Sequence, residues 1–156
     1  MQGRLEEGVT HLERAVALEP DYRDAWRNLG EASGALGRRG PAAQAFRAAL
    51  KSAPRDPVLL KRLAWILATA PEDDVRNGAE ALTTARLAVE VTGGDAVALD
   101  ALAAAQAENN QFGDAAATVE RAIATAQSAG PAELIPELQS RLEVYRGGQK
   151  FRDSAR

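Results

Sequence analysis

Apolar residues recur along this chain at helical spacing, and the spacing predicts a succession of helices. Between Gly3 and Glu19, the residues Leu5, Leu12, Ala15 and Val16 fall on one stripe. Leu59, Leu60, Leu63, Ala64, Ile66 and Leu67 predict a helix after Pro57, and Ala81, Leu82, Ala85, Ala88 and Val89 predict another. Leu99, Leu102 and Ala103 mark the next, Phe112, Ala115, Val119 and Ala122 the one after it. Leu134, Leu138, Leu142 and Tyr145 mark a final helix from Pro131 to about Gly147. Runs of β-branched residues with period two are absent, so no strand is expected. The punctuation agrees with this division. Asp21 is a candidate N-cap, Gly40-Pro41 opens a helix with proline at its first position, and Asp56-Pro57 repeats cap then proline. Gly93-Gly94-Asp95 reads as helix stop, link and new cap.

The helices carry a longer period. Pro20 closes the phrase LERAVALEP and Pro54 closes FRAALKSAP, 34 residues later. A step of this size is the signature of stacked helical hairpins. Between the two prolines, Trp26, Leu29 and Gly30 give W-x2-L-G, and Ala42, Phe46 and Ala49 follow at fixed offsets before Pro54. Ser33 stands where the pattern has tyrosine. This segment resembles the tetratricopeptide-repeat (TPR) family. The resemblance implies an all-α fold, an α-α solenoid of antiparallel helix pairs (a TPR-like superhelix) with a C-terminal capping helix. Small residues such as Gly30 and Ala42 let the paired backbones approach, and large ones such as Trp26 and Phe46 fill the space between units. A proline ends each pair because it lacks the N–H and clashes with the preceding turn.

On this frame the chain divides into a single domain, 1–156. Residues 3–20 form a partial repeat with only its second helix, and 21–55 a full repeat. Residues 56–94 form a repeat with a longer internal turn, 95–130 a third repeat, 131–147 the capping helix, and 148–156 a frayed tail. The longer turn is APEDDVRNG, between Ala70 and Gly78; Gly93 follows Pro54 by 39 residues. Because the opening helix lacks its partner, the chain is expected to begin within a unit and to be a piece of a longer protein. Either Leu5, Leu12 and Val16 lie exposed and favour homo-oligomers, or they pack on the first full unit. The phrases LAWILATAPEDDVRNG, LDALAAAQAENNQF and RLEVYRGGQKFR are similar to a bacterial TPR subtype that often ends longer proteins, membrane glycosyltransferases among them. A regulatory or targeting appendage of such a multidomain enzyme is therefore an alternative role.

Composition narrows the function classes. The net charge is −3, without the basic footprint of a nucleic-acid binder. No apolar run reaches membrane-spanning length, so direct membrane insertion is not expected. Cysteine is absent, which removes disulfides and thiolate metal sites but does not separate cytoplasm from periplasm. Candidate chemistry is sparse. The single histidine, His11, falls on the outer side of the first helix. No Walker loop or dinucleotide fingerprint occurs. Glu72-Asp73-Asp74 lacks calcium-loop spacing and suits the positive end of the following helix. Gly34, Gly37 and Gly40 bracket a helix end and turn, with Arg38 and Arg39 placed to meet the last carbonyls. No catalytic residue, cofactor or metal is expected, and the chain does not read as an enzyme.

What the resemblance implies is a protein-interaction scaffold that takes a peptide or partner protein in a concave groove lined by the first helix of each pair. The groove-facing positions are then Asp24, Arg27, Asn28 and Glu31 in the first full unit. They are Val58, Lys61, Arg62, Trp65 and Thr69 in the second, and Val97, Asp100, Ala101, Ala104 and Glu108 in the third. Trp65 beside Lys61 and Arg62 would make an anchor for a partner; alternatively the long turn after Ala70 folds back over it. Asn28 and Arg62 fall at two positions of the carboxylate clamp of chaperone-binding TPR domains. Val58 stands where that clamp needs lysine, so its ligand is not expected.

Overall fold

The computed structural model describes residues 2–154. Among the described residues there are eight α-helices: α1 Gln2–Leu18, α2 Arg23–Ala35, α3 Arg39–Ser52, α4 Pro57–Thr69, α5 Gly78–Thr92, α6 Ala96–Glu108, α7 Phe112–Ala129 and α8 Ile135–Arg146. A single 3-10 turn, Ala132–Leu134, precedes α8, and no strand occurs among the described residues.

Neighbouring helices pack in sequence. The hairpins α2–α3, α4–α5 and α6–α7 are the closest pairs, α4 also lies along α6, and α8 closes the row against α7. The interior is correspondingly strung out. One apolar cluster joins Val9 and Val16 of α1 to Ala25, Leu29 and Ala45. A second, built round Phe46, Leu63, Leu67 and Ala81, spans α3 to α6. A third joins Leu99, Val119, Leu138 and Tyr145 across α6 to α8. This is an α-solenoid, in which each pair completes the core of the next.

Local chemistry explains the element boundaries. Asp56 accepts from the amides of Val58 and Leu59, with Pro57 at the first helical position. Asp95 accepts from Ala98 N at 2.7 Å, and Asn77 caps α5 by accepting from Glu80 N. Gly30 permits a close helix approach. A Cβ at that position would lie 2.5 Å from Cε1 of Phe46, so only glycine lets α2 sit on the α3 ring. Ion pairs tie the units together at close to the repeat step. Arg47 of α3 grips Glu80 of α5 with two bonds of 2.7 and 2.8 Å, and Lys61 of α4 meets Asp95 at 2.7 Å.

Several expectations need correction. Asp21 does not cap α2; Tyr22 occupies the cap position without a side-chain bond, and α3 opens at Arg39, so Pro41 stands two residues inside the helix rather than at its first position. The Trp26 indole donates to Pro20 O at 2.8 Å and Tyr22 N donates to Glu19 O, which holds the turn so that the helix starts at Arg23. The stripe of α1 is largely covered. Val9 and Val16 are buried and Leu12 half-buried where α2 packs on them, and Leu5 is half-buried; among the described residues the large apolar side chains exposed at this end are Leu18 and Tyr22. The tail is not frayed as far as Ser154. Gly148, at φ +67°, forms a Schellman turn in which Gln149 N donates to Val144 O and Gly148 N to Tyr145 O. That turn sends the chain back across α4, where Asp153 N donates to Thr69 O at 2.9 Å. Residues 155 and 156 of the predicted tail lie outside the described residues.

Candidate functional site

The first helices of the pairs, with α8, frame a groove. One cleft of about 510 Å³ lies between α4, α6 and α8, lined by Val58, Lys61, Arg62, Trp65, Val97, Asp100, Ala101, Glu137, Arg141 and Asp153. A second hollow of about 320 Å³ lies between α2 and α4, lined among others by Gly30, Glu31, Arg39 and Ile66. Arg62, Trp65 and Asp153 line both.

Trp65 sits where they meet, and the returning tail covers it. The 71–78 turn has its own partners: Asn77 N donates to Leu67 O, and Arg76 to the carbonyls of Ala70 and Pro71. The Trp65 indole donates to Asp153 Oδ2 at 3.0 Å, and the Phe151 ring lies 5.7 Å away, inclined at 44°. Arg141 extends its guanidinium over both rings, 4.7 Å from the Trp65 centroid and 5.0 Å from that of Phe151, within cation–π range. Asp153 also meets Arg39 at 3.4 Å, and Arg152 pairs with Glu108 at 2.8 Å.

Asp100 is not a solvated groove residue. It is buried on α6 and accepts from Arg141 Nη1 at 2.7 Å, while Arg141 Nη2 reaches Glu137 at 2.9 Å. Burial pushes the Asp100 carboxyl up to about 6; the Arg141 cation opposes this and Glu137 adds to it. Its second oxygen, Oδ1, is buried without a partner, as is Nε of Arg141. Tyr145, buried beneath this pair, is raised above the ordinary phenol range by desolvation and by the Asp100 charge.

The predicted groove residues thus fall into three sets. Glu31, Lys61, Arg62, Trp65, Val58 and Val97 line the groove, with Glu31 paired to Arg62 at 3.2 Å. Asp24, Arg27 and Asn28 stand outside both hollows, Asp24 pairing with Arg23 and Arg27 on the surface of α2. Asp100 and Ala101, at the buried floor of the larger cleft, and Ala104, Thr69 and Glu108 are enclosed to different degrees. Thr69, Ala104, Ala101 and Asp100 are buried, Thr69 Oγ1 donating to Trp65 O at 2.7 Å. Glu108 is held among Arg76, Lys150 and Arg152. The reason is that α6 is walled by α4, α5 and α7 and roofed by Arg141 and the tail. Sequence reasoning missed Arg141 and the tail residues, and it assigned Arg38 and Arg39 to the last carbonyls of α2, whereas their side chains meet Glu6 and Asp153. Arg141 carried a signal, a cation on the same helical face as Leu138, Leu142 and Tyr145.

Among the described residues, no helix is long and apolar enough to cross a membrane, and no group of three or more His, Asp or Glu side chains is placed to hold a metal ion. His11 is exposed on α1. Comparison with protein families and with curated proteins finds no match.

Proposed function

We propose that this chain is a protein-binding module of the tetratricopeptide-repeat kind, seating an extended segment of a partner in the groove formed by α4, α6 and α8. The observation that carries the reading is the mouth of the larger cleft. Val58 and Val97, 47% and 42% exposed, are two of the few large apolar side chains left uncovered, and they flank one opening beside Lys61 and Trp65. Exposed apolar side chains at a concave rim lined by charges are the composition of an anchor pocket. The repeat spacing and the W-x2-L-G phrase support the same class. The role is binding rather than catalysis, in keeping with Lys61, Arg62 and Arg141 each being committed to a carboxylate.

Cross-linking with lysine-reactive reagents tests it. Proteins captured on the full chain are expected to cross-link through Lys61 in the cleft rather than Lys51 at the end of α3. Their retention is expected to fall in Val58→Glu and Trp65→Ala. Retention unchanged in both variants, with cross-links at Lys51, would contradict the reading.

A further inference from the structure

We propose that the segment Phe151-Arg152-Asp153 is a ligand held in cis, and that the groove recognises an extended partner segment carrying an aromatic, a basic and an acidic residue in that order. The proposal rests on the binding reading above and adds to it the chemistry of the occupant and a gate.

The contacts are those of a bound peptide rather than a continued helix. The segment has no regular structure of its own. It is held by one main-chain bond, Asp153 N to Thr69 O, at the C-terminal end of α4, where helix carbonyls lack intrahelical partners. Each side chain then has its own receiver. The Phe151 ring meets Trp65 under the Arg141 guanidinium. Arg152 reaches the enclosed carboxylate of Glu108. Asp153 accepts from the Trp65 indole and meets Arg39. Main-chain bonding that supplies affinity, with side-chain receivers that supply selectivity, is a division of labour found in the capture of extended peptides.

The receivers come from α3, α4, α6 and α8, so the specificity is built by the solenoid and not by the tail. The segment covers the groove beside the C-terminal halves of α4 and α6. The N-terminal halves, where Val58 and Val97 stand, remain open. A partner that enters at the open half and carries the same triplet meets the tail as a competitor. Tethering sets that competition, since a short link gives the cis segment an effective concentration of about millimolar.

The test uses the full chain carrying Phe151→Ala, Arg152→Ala and Asp153→Ala together, with a fluorescent peptide of sequence Gly147–Ser154 as probe. The variant is expected to bind the peptide one-to-one and saturably. A peptide with alanine in place of the phenylalanine is expected to bind at least about tenfold more weakly. The unaltered chain is also expected to bind the parent peptide at least about tenfold more weakly, because its own tail competes. Absence of saturable binding to a helical variant, equal binding of the two peptides, or equal binding by the unaltered chain would each overturn the proposal. So would loss of the helical circular-dichroism signal in the variant, because a displaceable ligand is not required for folding. None of these outcomes bears on the open half of the groove, which the Val58→Glu capture experiment reads separately.

Discussion

Arg141 of α8 and Asp100 of α6, 41 residues apart, meet at 2.7 Å with both side chains buried. The pair fastens the closing helix to the last full unit. The same guanidinium lies over Trp65 and Phe151 and so also forms the roof of the groove. Removing it with Arg141→Met leaves the Asp100 carboxylate buried without a cation. At pH 8 the expected loss is about 3–5 kcal/mol. At pH 5 the loss is expected to be smaller, since Asp100, titrating at about 6, is then largely neutral. Urea denaturation at the two pH values checks both statements.

Asp100 also gives the unaltered chain a pH dependence whose sign can be worked out. Its folded value of about 6 is above the value of a free aspartate, about 3.9. Between the two values the folded chain holds a proton that the unfolded chain has released. Stability therefore falls as pH rises from about 4 to about 6, by up to about 3 kcal/mol. Asp100→Asn is expected to flatten this segment of the stability–pH curve relative to the unaltered chain, measured by urea midpoints across pH 4–7.

Gly30 and Gly34, one turn apart on α2, are expected to respond oppositely to alanine. At Gly30 the new methyl would strike the Phe46 ring, which is itself buried and cannot yield cheaply. Overpacking is expected to cost about 1–3 kcal/mol, outweighing the gain in helix propensity. At Gly34 nothing lies within 4 Å of the new atom, so Gly34→Ala is expected to stabilise by up to about 1 kcal/mol. Thermal unfolding of the two variants separates them by sign.

Much of the frame was legible in the chain because it is local. The Asp56-Pro57 and Asp95 caps and the Gly93 stop are set by neighbouring residues, so Asp, Pro and Gly mark them in the sequence; Gly30 was expected at a close approach of paired helices, whereas Phe46, expected between units, lies against Gly30 within the pair. The groove was less legible, for two physical reasons. Helix α6 is so rich in alanine that no polar stripe marks its outer face, and Asp100 reads as solvated until Arg141 is found opposite it. The contacts of the tail join residues 88 and 114 positions apart, Trp65 with Asp153 and Arg39 with Asp153, and no periodic pattern relates them. The sequence GGQKFRDSAR, polar and glycine-rich, reads as a loose end until its receivers are in place.

Asp95 has two jobs that substitutions can divide. It caps α6 through Ala98 N and pairs with Lys61 across the unit boundary. Asn retains the cap and loses the charge, so Asp95→Asn is expected to cost no more than about 1 kcal/mol, as partly exposed ion pairs do. Asp95→Ala loses both, for a total of about 1–2 kcal/mol. Chemical denaturation of both variants gives the division, and equal losses would mean that the cap contributes nothing.

The central claim is that the groove of α4, α6 and α8 holds an extended segment, with the tail already seated there. Hydrogen exchange of the Asp153 amide, bonded to Thr69 O, reads it directly. In the unaltered chain this amide is expected to exchange at least about tenfold more slowly than in an unstructured peptide, and to lose that protection in Trp65→Ala while the core amides of α4 keep theirs. Exchange at the unstructured rate in the unaltered chain would contradict the account.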